Sequence, residues 1–436
     1  MTRLSFPSSR RWGESGALGW PRGEVGILLA MSQISLEEFT AEARSFLEAN
    51  AKAREEEAFK WGEGEDNVAL FDEKTPEQEL AEVAEAQEWR RTKFDAGFGW
   101  ISGPAQYGGR ELPAAYDRAY ASLEGRFDLP SQAPFGIGLG MVAPTILSHA
   151  TPTVKERYLG AMYRGDVIGC QLFSEPGAGS DLAGLSTKAL RDGDEWVVNG
   201  QKVWTSGAQY SDIGEIICRT NPEAPKHKGL TGFVVDMRAP GVEVRPLRQM
   251  TGGASFNEVY FTDVRIPDDH RLGDVNEGWT VALTTLMNER ASIGADSGGG
   301  AEVVSTTRLI EMARHFGRDK DPVVRQELMK IFIDFSVAKY TGQRAMDKIK
   351  AGQLPGPELS ILKLSLTQNL TATAEFVARV LGPHLAADSG AWGTYSWNQL
   401  VLGTPGMRIA GGSDEVMRNI VGERVLGLPK EPRVDK

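Results

Sequence analysis

The sequence predicts an α+β fold, mainly α, in which one block of antiparallel strands sits between two helical regions. Three observations carry this. Apolar residues recur at helical spacing before about residue 165, short β-rich runs separated by turn residues fill 170–275, and the helical period returns from Asn276 to about Leu426. Strands gathered in one block, not alternating with helices, exclude a doubly wound sheet. The implied domains are 35–165, 166–275 and 276–436, with 1–34 a disordered extension or an overcalled start. A chain of 436 residues can bury a large core in two or three such units.

Met1 to Ala30 carries Arg3, Arg10, Arg11 and Arg22, with Glu14 and Glu24 its only acidic residues. Its apolar run, Val25 to Met31, is too short and too late for a signal peptide. Helical sequence begins just after Met31, the alternative start. Ser35 is placed to cap a helix whose apolar face is Leu36, Phe39, Ala43, Phe46 and Leu47. Ala81 to Phe94 repeats that pattern, and Gly97 to Gly109 is a glycine-rich crossing. The strand runs are Trp196–Val198, Val203–Thr205, Ile213–Cys218, Gly232–Asp236, Val242–Val244 and Glu258–Val264. Between the first two stands Asn199-Gly200, the dipeptide favoured by a type I′ hairpin turn. After Asn276, Trp279, Ala282, Leu283, Leu286 and Ile293 form one helical stripe, with Arg290 in its middle and Glu289 at its edge.

Composition narrows the function classes. A net charge of −11 argues against nucleic acid and anionic membrane surfaces as partners. No run of 18 apolar residues is present to span a bilayer. Two cysteines, Cys170 and Cys218, make no disulfide framework and suit a reducing cytoplasm. His149, His227, His270, His315 and His384 are scattered without metal-ligand spacing, so no metal is implied. Gly136-Ile-Gly138-Leu-Gly140 has its third glycine one position early for a dinucleotide loop and reads as helix interior. Ser360-Ile-Leu-Lys363 lacks the companion motifs of acyl-serine enzymes and reads as one helical turn.

Chemistry concentrates in 170–212. Ser174-Glu-Pro-Gly177-Ala-Gly179-Ser180-Asp181 packs two hydroxyls, two glycines and a proline into a turn, letting backbone amides approach a bound ring. Trp204 and Ser206 on the adjoining strand offer an aromatic wall and a hydrogen bond to a flat heterocycle. These two blocks, with Asn199-Gly-Gln-Lys-Val-Trp-Thr-Ser-Gly207, closely resemble the acyl-CoA dehydrogenase family. The similarity runs from about 36 to 430 and includes Pro246 to Pro267. It implies a helical domain, a β domain and a C-terminal four-helix-bundle domain. It also implies FAD as cofactor, an acyl-CoA substrate, an electron-transfer flavoprotein as acceptor, and a homo- or hetero-oligomer of family subunits. By the same resemblance Phe173, Ser174, Gly179 and Ser180 lie along the flavin. Trp204 packs on the ring, Ser206 bonds the hydride-accepting nitrogen, and Ser180 also lies near the CoA chain.

The family oxidises an acyl thioester to its α,β-unsaturated form, a carboxylate taking the α-proton while a β-hydride passes to flavin. A placed base contributes roughly 10²- to 10⁴-fold. Most members carry this Glu in a C-terminal Glu-Gly-Thr-Ser motif. Here that segment is Gly411-Gly412-Ser413-Asp414-Glu415, so Gly411 has no side chain to act, although its N–H can polarise the thioester carbonyl. A subset of isovaleryl- and long-chain-type members uses an earlier Glu-Arg pair, which Glu289-Arg290 matches, placing Arg290 at the substrate. Ser413 and Glu415 follow the motif glycines, where the family holds the nucleotide part of FAD; Asp414 and Glu415 are rival carboxylates for the base. Gly298-Gly299-Gly300 suggests a kinked helix near the acyl tail.

Two departures bear on assembly. The family's Arg three residues before Phe-Gly is Ala313, with Arg314 beside it. Pro383 replaces a glycine in the segment that contacts FAD across a subunit boundary, removing an amide donor. The leading reading is an FAD-dependent acyl-CoA dehydrogenase with Glu289 as base. The alternatives are a non-catalytic or half-site partner subunit, and a flavin oxidase or monooxygenase on the same fold.

Overall fold

The computed structural model describes residues 34–55, 59–71, 73–295, 304–350 and 356–430, apart from the side chains of 290–295, 346, 349 and 350. The expectations for residues 1–33, Ile293 and Gly298–Gly300 therefore lie outside the described residues.

Helix α1, Leu36–Asn50, opens on a capping box in which Ser35 and Glu38 satisfy each other's backbone N–H. Phe39, Ala43 and Leu47 are fully buried on one face, in a cluster with Trp89, Phe98 and Tyr120. Thr75 and Gln78 repeat the device at α2, Pro76–Asp95. Helix α3 is Ala114–Glu124, α4 Ala143–His149 and α5 Pro152–Arg164. The Gly138–Val142 stretch is helical as expected, but as a π turn leading into α4. Strands β1 (Lys52–Ala53) and β2 (Phe127–Asp128) form a small antiparallel pair.

The central sheet has eight strands: β3 Gly169–Leu172, β4 Lys188–Asp192, β5 Glu195–Ser206, β6 Ile213–Arg219, β7 Leu230–Asp236, β8 Val242–Leu247, β9 Phe256–Pro267 and β10 Arg271–Leu272. Its order is β10-β7-β6-β4-β5-β9-β8, with β3 alongside β6. The pairings are antiparallel except β3 with β6 and one bridge from β4 to β6. One sheet face closes a core of Leu172, Phe233, Val259 and Ile266, while Ile213, Ile217 and Val234 face helices of the other domains.

Asn199-Gly200 is not a hairpin turn. Strand β5 runs straight through it, and the hairpin to β4 turns instead at Gly193-Asp194. Gly200 serves close approach: a Cβ there would lie 2.5 Å from Thr187 Oγ1 and 2.7 Å from Thr187 Cα, just before β4. Asn199 bonds Asp263 across the sheet at 3.0 Å, beside a register shift between Val198 and Gly200.

The C-terminal region opens with α6, Gly278–Ala295, followed by α7 Thr306–His315, α8 Pro322–Lys350, α9 Leu359–Leu381, α10 Trp397–Met407 and α11 Asp414–Ile420. Helix α9 is the pivot, packing on α6, α8, α10 and α11. Leu309, Met312, Val324, Phe376, Val377 and Trp397 fill the core around it. The fold class is the one the sequence predicts. Among the described residues no helix is long and apolar enough to cross a membrane.

Candidate active site

The 174–181 turn is held by a buried ion pair that joins it to β5. Lys202 on β5 is fully buried, and its Nζ lies 2.9 Å from Glu175 Oε1 while donating to the Phe173 carbonyl at 3.0 Å. Glu175 also accepts from the Ser186 N–H at 2.6 Å, the Ser186 hydroxyl at 2.8 Å and the Thr187 N–H at 2.9 Å. Burial alone would raise the Glu175 pKa, but the Lys202 ammonium and these donors outweigh it and bring it down to about 2. Glu175 and Ala178 exchange backbone bonds at 3.0 Å, and Val203 N–H donates to Ser174 O at 2.9 Å. The hydroxyl-rich turn is thereby stitched to the strand carrying Trp204 and Ser206.

Trp204 combines two unusual features. It is 58% exposed, and its φ is 61°, in the left-handed region. A bulky residue at positive φ is an outlier that needs a local cause. That cause is a second irregularity of β5 against β9, between Lys202 and Thr205. The Trp204 ring meets Phe256 edge-on at 6.1 Å. Ser206, two residues on, is half-buried. The hydroxyls of Ser174, Ser180 and Ser206 have no hydrogen-bond partner among the described residues, and nothing lies within 4 Å of a Cβ built on Gly177 or Gly179. Phe173, by contrast, has its ring in the apolar core.

The 409–415 loop is fixed from below. Buried Asp414 accepts from Thr367 Oγ1 at 2.7 Å, Arg408 Nε at 3.0 Å and Lys363 Nζ at 3.2 Å. Burial raises its pKa, and the three donors bring it below the usual carboxylate range. Asp414 is thus tied up as an anchor, and Lys363 of the Ser-x-x-Lys sequence is its structural partner. Gly411 and Gly412 have φ of 65° and 92°, which glycine alone adopts readily. Ser413 caps α11, its Oγ accepting from Val416 N–H at 3.3 Å. Glu415 is exposed, 3.8 Å from Arg418.

Helix α6 presents a face shifted from the one expected. Val281, Ala282 and Thr285 are buried, Trp279 and Leu286 are half-buried, and Leu283 is 41% exposed. Glu289, four residues after Thr285 and seven after Ala282, therefore follows the buried line of the helix and not its edge. Its own side chain is half-buried. The side chain of Arg290 lies outside the described residues. Ala313 is fully buried, and the exposed Arg314 side chain pairs with Glu311 at 2.5 Å. Sequence reasoning passed over Glu175, Lys202 and the Lys363–Asp414 pair. The partners in each are 27 and 51 residues apart, which no local pattern reveals.

Three family models match end to end along the chain: acyl-CoA dehydrogenase N-terminal domain over 35–166, middle domain over 170–264 and C-terminal domain over 276–426. The chain belongs to the acyl-CoA dehydrogenase family. It is similar to acyl-CoA dehydrogenase IpdE1 of Mycobacterium tuberculosis, 35% identical over 91% of this chain and 99% of that protein. It is 38% identical to acyl-CoA dehydrogenase FadE34 of the same organism over 80% of this chain, but spans only 48% of FadE34's length. Among solved structures, the Tcur3481-Tcur3483 steroid ACAD superposes with a TM-score of 0.70 at 27% identity, over 91% of this chain and 98% of that one. The ChsE4-ChsE5 complex from Mycobacterium tuberculosis gives 0.63 at 27% identity, over 92% and 100%. The protein is an oxidoreductase acting on acyl-CoA, and its cofactor is FAD. The exposed tryptophan, the unpartnered serine hydroxyls and the open glycines suit an apolar ring with a polar edge.

Proposed function

We propose that the chain catalyses α,β-dehydrogenation of an acyl-CoA thioester, with Glu289 as the base. When bound, FAD supplies the acceptor for the β-hydride. Glu289 carboxylate takes the α-proton, and the Gly411 N–H polarises the thioester carbonyl as charge builds on its oxygen. Trp204 packs on the cofactor ring, Ser174 and Ser206 bond its polar edge, and Ser180 serves both ring and CoA chain. The Phe173 backbone, Gly179, Ser413 and Glu415 complete the cofactor contacts, and Arg290 those to substrate. The observation that supports this reading best is the position of Glu289 in line with the buried face of α6, in a chain whose other base position is Gly411. The names of the neighbours suggest a bulky, steroid-like acyl group. A glycine at 411 suits one because it adds no side chain. Electrons then pass to an electron-transfer flavoprotein. The two free cysteines are buried, which fits the reducing cytoplasm.

The test is anaerobic titration with a panel of acyl-CoAs, following the flavin absorbance. Bleaching by a thioester in the wild type, with turnover cut at least about a hundredfold in Glu289→Gln, is the expected result. A loss under about threefold with flavin retained would remove Glu289 from the chemistry.

A second reading is favoured by Ala313, Pro383 and an exposed apolar stripe on α8: the chain works as one subunit of a heteromeric enzyme and completes a site with a family partner. A preparation that stays colourless with added FAD, then gains flavin only on mixing with that partner, would select it.

A further inference from the structure

Glu215 lies in the middle of β6 and is fully buried. It shares the sheet face of Ile213 and Ile217, beneath Val142, Ala143 and Ile146 of the N-terminal domain and Val281 and Ala282 of α6. Its cross-strand neighbours are Gln171 on β3 and Val234 on β7. Among the described residues no cation reaches it. Oε1 lies 2.5 Å from Thr285 Oγ1, and Oε2 has no partner among the described residues. Thr285 Oγ1 is in turn 2.9 Å from Thr145 Oγ1 on α4, which donates to the Met141 carbonyl at 2.9 Å. Thr145 and Thr285 are also fully buried. One polar chain thus crosses the junction of all three domains and touches α6 one turn before Glu289.

We propose that Glu215 is a positioning residue which, through Thr285, fixes the seating of α6 and hence of Glu289. This rests on the reading of Glu289 as the base. Full burial with no counter-ion among the described residues favours a carboxyl that keeps its proton. The Thr285 hydroxyl donates to Glu215 Oε1 and the Thr145 hydroxyl to the Met141 carbonyl, so the three side chains form one buried link from β6 through α6 to α4. An ionised Glu215 would be a buried charge with no counter-ion among the described residues. Burial pushes its pKa up to about 8, against which the Thr285 bond works only in part. The titratable groups on the packed elements are occupied elsewhere or solvated. His149 on α4 bonds Thr284 Oγ1 at 2.8 Å, Arg219 at the end of β6 donates to the carbonyls of Ala183 and Lys226, Asp236 at the end of β7 is exposed, and Glu289 lies a turn further along α6. Loss of that proton as pH rises through about 8 places an unpaired charge where β6 seats α6.

The test is the pH dependence of kcat and KM in the flavin-loaded enzyme for wild type, Glu215→Gln, Glu215→Leu and Thr285→Val. Gln keeps a neutral group with a donor. It should hold kcat within about threefold of wild type at neutral pH and abolish the alkaline fall in kcat near pH 8. Leu and Val remove the link. Each should lower kcat at least about tenfold with little change in KM, since a displaced base is costly even when substrate still binds. Thr285→Val keeps the question open to measurement if Glu215→Leu does not fold. An alkaline limb that persists unchanged in Glu215→Gln, or full kcat in Thr285→Val, overturns the inference. Silent Glu215 and Thr285 variants beside an inactive Glu289→Gln overturn it alone, whereas an active Glu289→Gln overturns the base reading and this inference together.

Discussion

Two buried carboxylates on neighbouring parts of the sheet have opposite electrostatics, and stability should report both. Glu175 has a cation and three further donors, so its pKa falls to about 2. Its contribution is therefore fully present above the ordinary carboxylate range and is lost as pH drops from there through about 2. Glu215 has no cation among the described residues, and its raised pKa gives the reverse sign: between the ordinary range and about 8 the folded state holds a proton that the unfolded chain has released. Its presence costs stability increasingly as pH climbs through that window. Thermal melts of Glu175→Gln should show a loss of about 3–5 kcal/mol at neutral pH, because Lys202 is left charged and buried without its counter-ion. That deficit should shrink towards acid. Melts of Glu215→Gln should match wild type near pH 5 and exceed it near pH 8. Equal melting temperatures for Glu175→Gln and wild type at neutral pH would mean the Lys202 pair contributes nothing to the turn.

At the scale of elements, β5 decides where the site stands, and it shows why some of the molecule could be read from the sequence and some could not. Helix α1 was legible because cap, period and burial all agree locally, and α2 was legible in its period from Ala81 to Phe94 but not in its Thr75 cap. Asn199-Gly200 was misleading for the opposite reason: its local turn preference is overridden by β4 and β9, which pair on both sides of it. The motifs that carry the family likeness were legible as residues. Their support was not, because Glu175–Lys202 and Lys363–Asp414 exist only once distant segments meet. The face of α6 was read one position off, since Thr285 is polar yet fully buried and Leu283 apolar yet exposed. The bulge that holds Trp204 at positive φ carries a further expectation. Backbone strain of about 1–3 kcal/mol at an exposed side chain is not repaid by packing within the chain. Trp204→Gly should therefore leave the apoprotein as stable as wild type or more so in urea, while weakening FAD at least about tenfold by fluorescence titration, as expected for loss of an aromatic contact and its buried area. If FAD binding were unchanged, the ring would not be the cofactor's wall.

At the scale of the whole molecule, a single chain leaves an apolar surface uncovered. Helix α8 carries Met329, Phe332, Ile333, Val337 and Tyr340 at spacings of three and four, each 49–66% exposed. That is a continuous apolar stripe, unlike the scattered apolar residues of an ordinary surface. On the opposite side of the same helix, Val324 and Ile331 are buried against α9 and the C-terminal core. The helix is therefore apolar on two sides, as expected of an element placed between its own domain and another chain. The net charge of −11 keeps a lone chain dispersed but does not hydrate this stripe. We expect sedimentation velocity to show an oligomer, either of this chain alone or after mixing with a family subunit. Replacing Phe332 and Val337 together by Asp should dissociate it to monomer, since two charges would be buried at the contact. The far-UV spectrum should be unchanged, because both positions face outward from a fold whose core lies elsewhere. A double variant that assembles like wild type would move the contact away from α8, and with it the support this surface gives to a shared site.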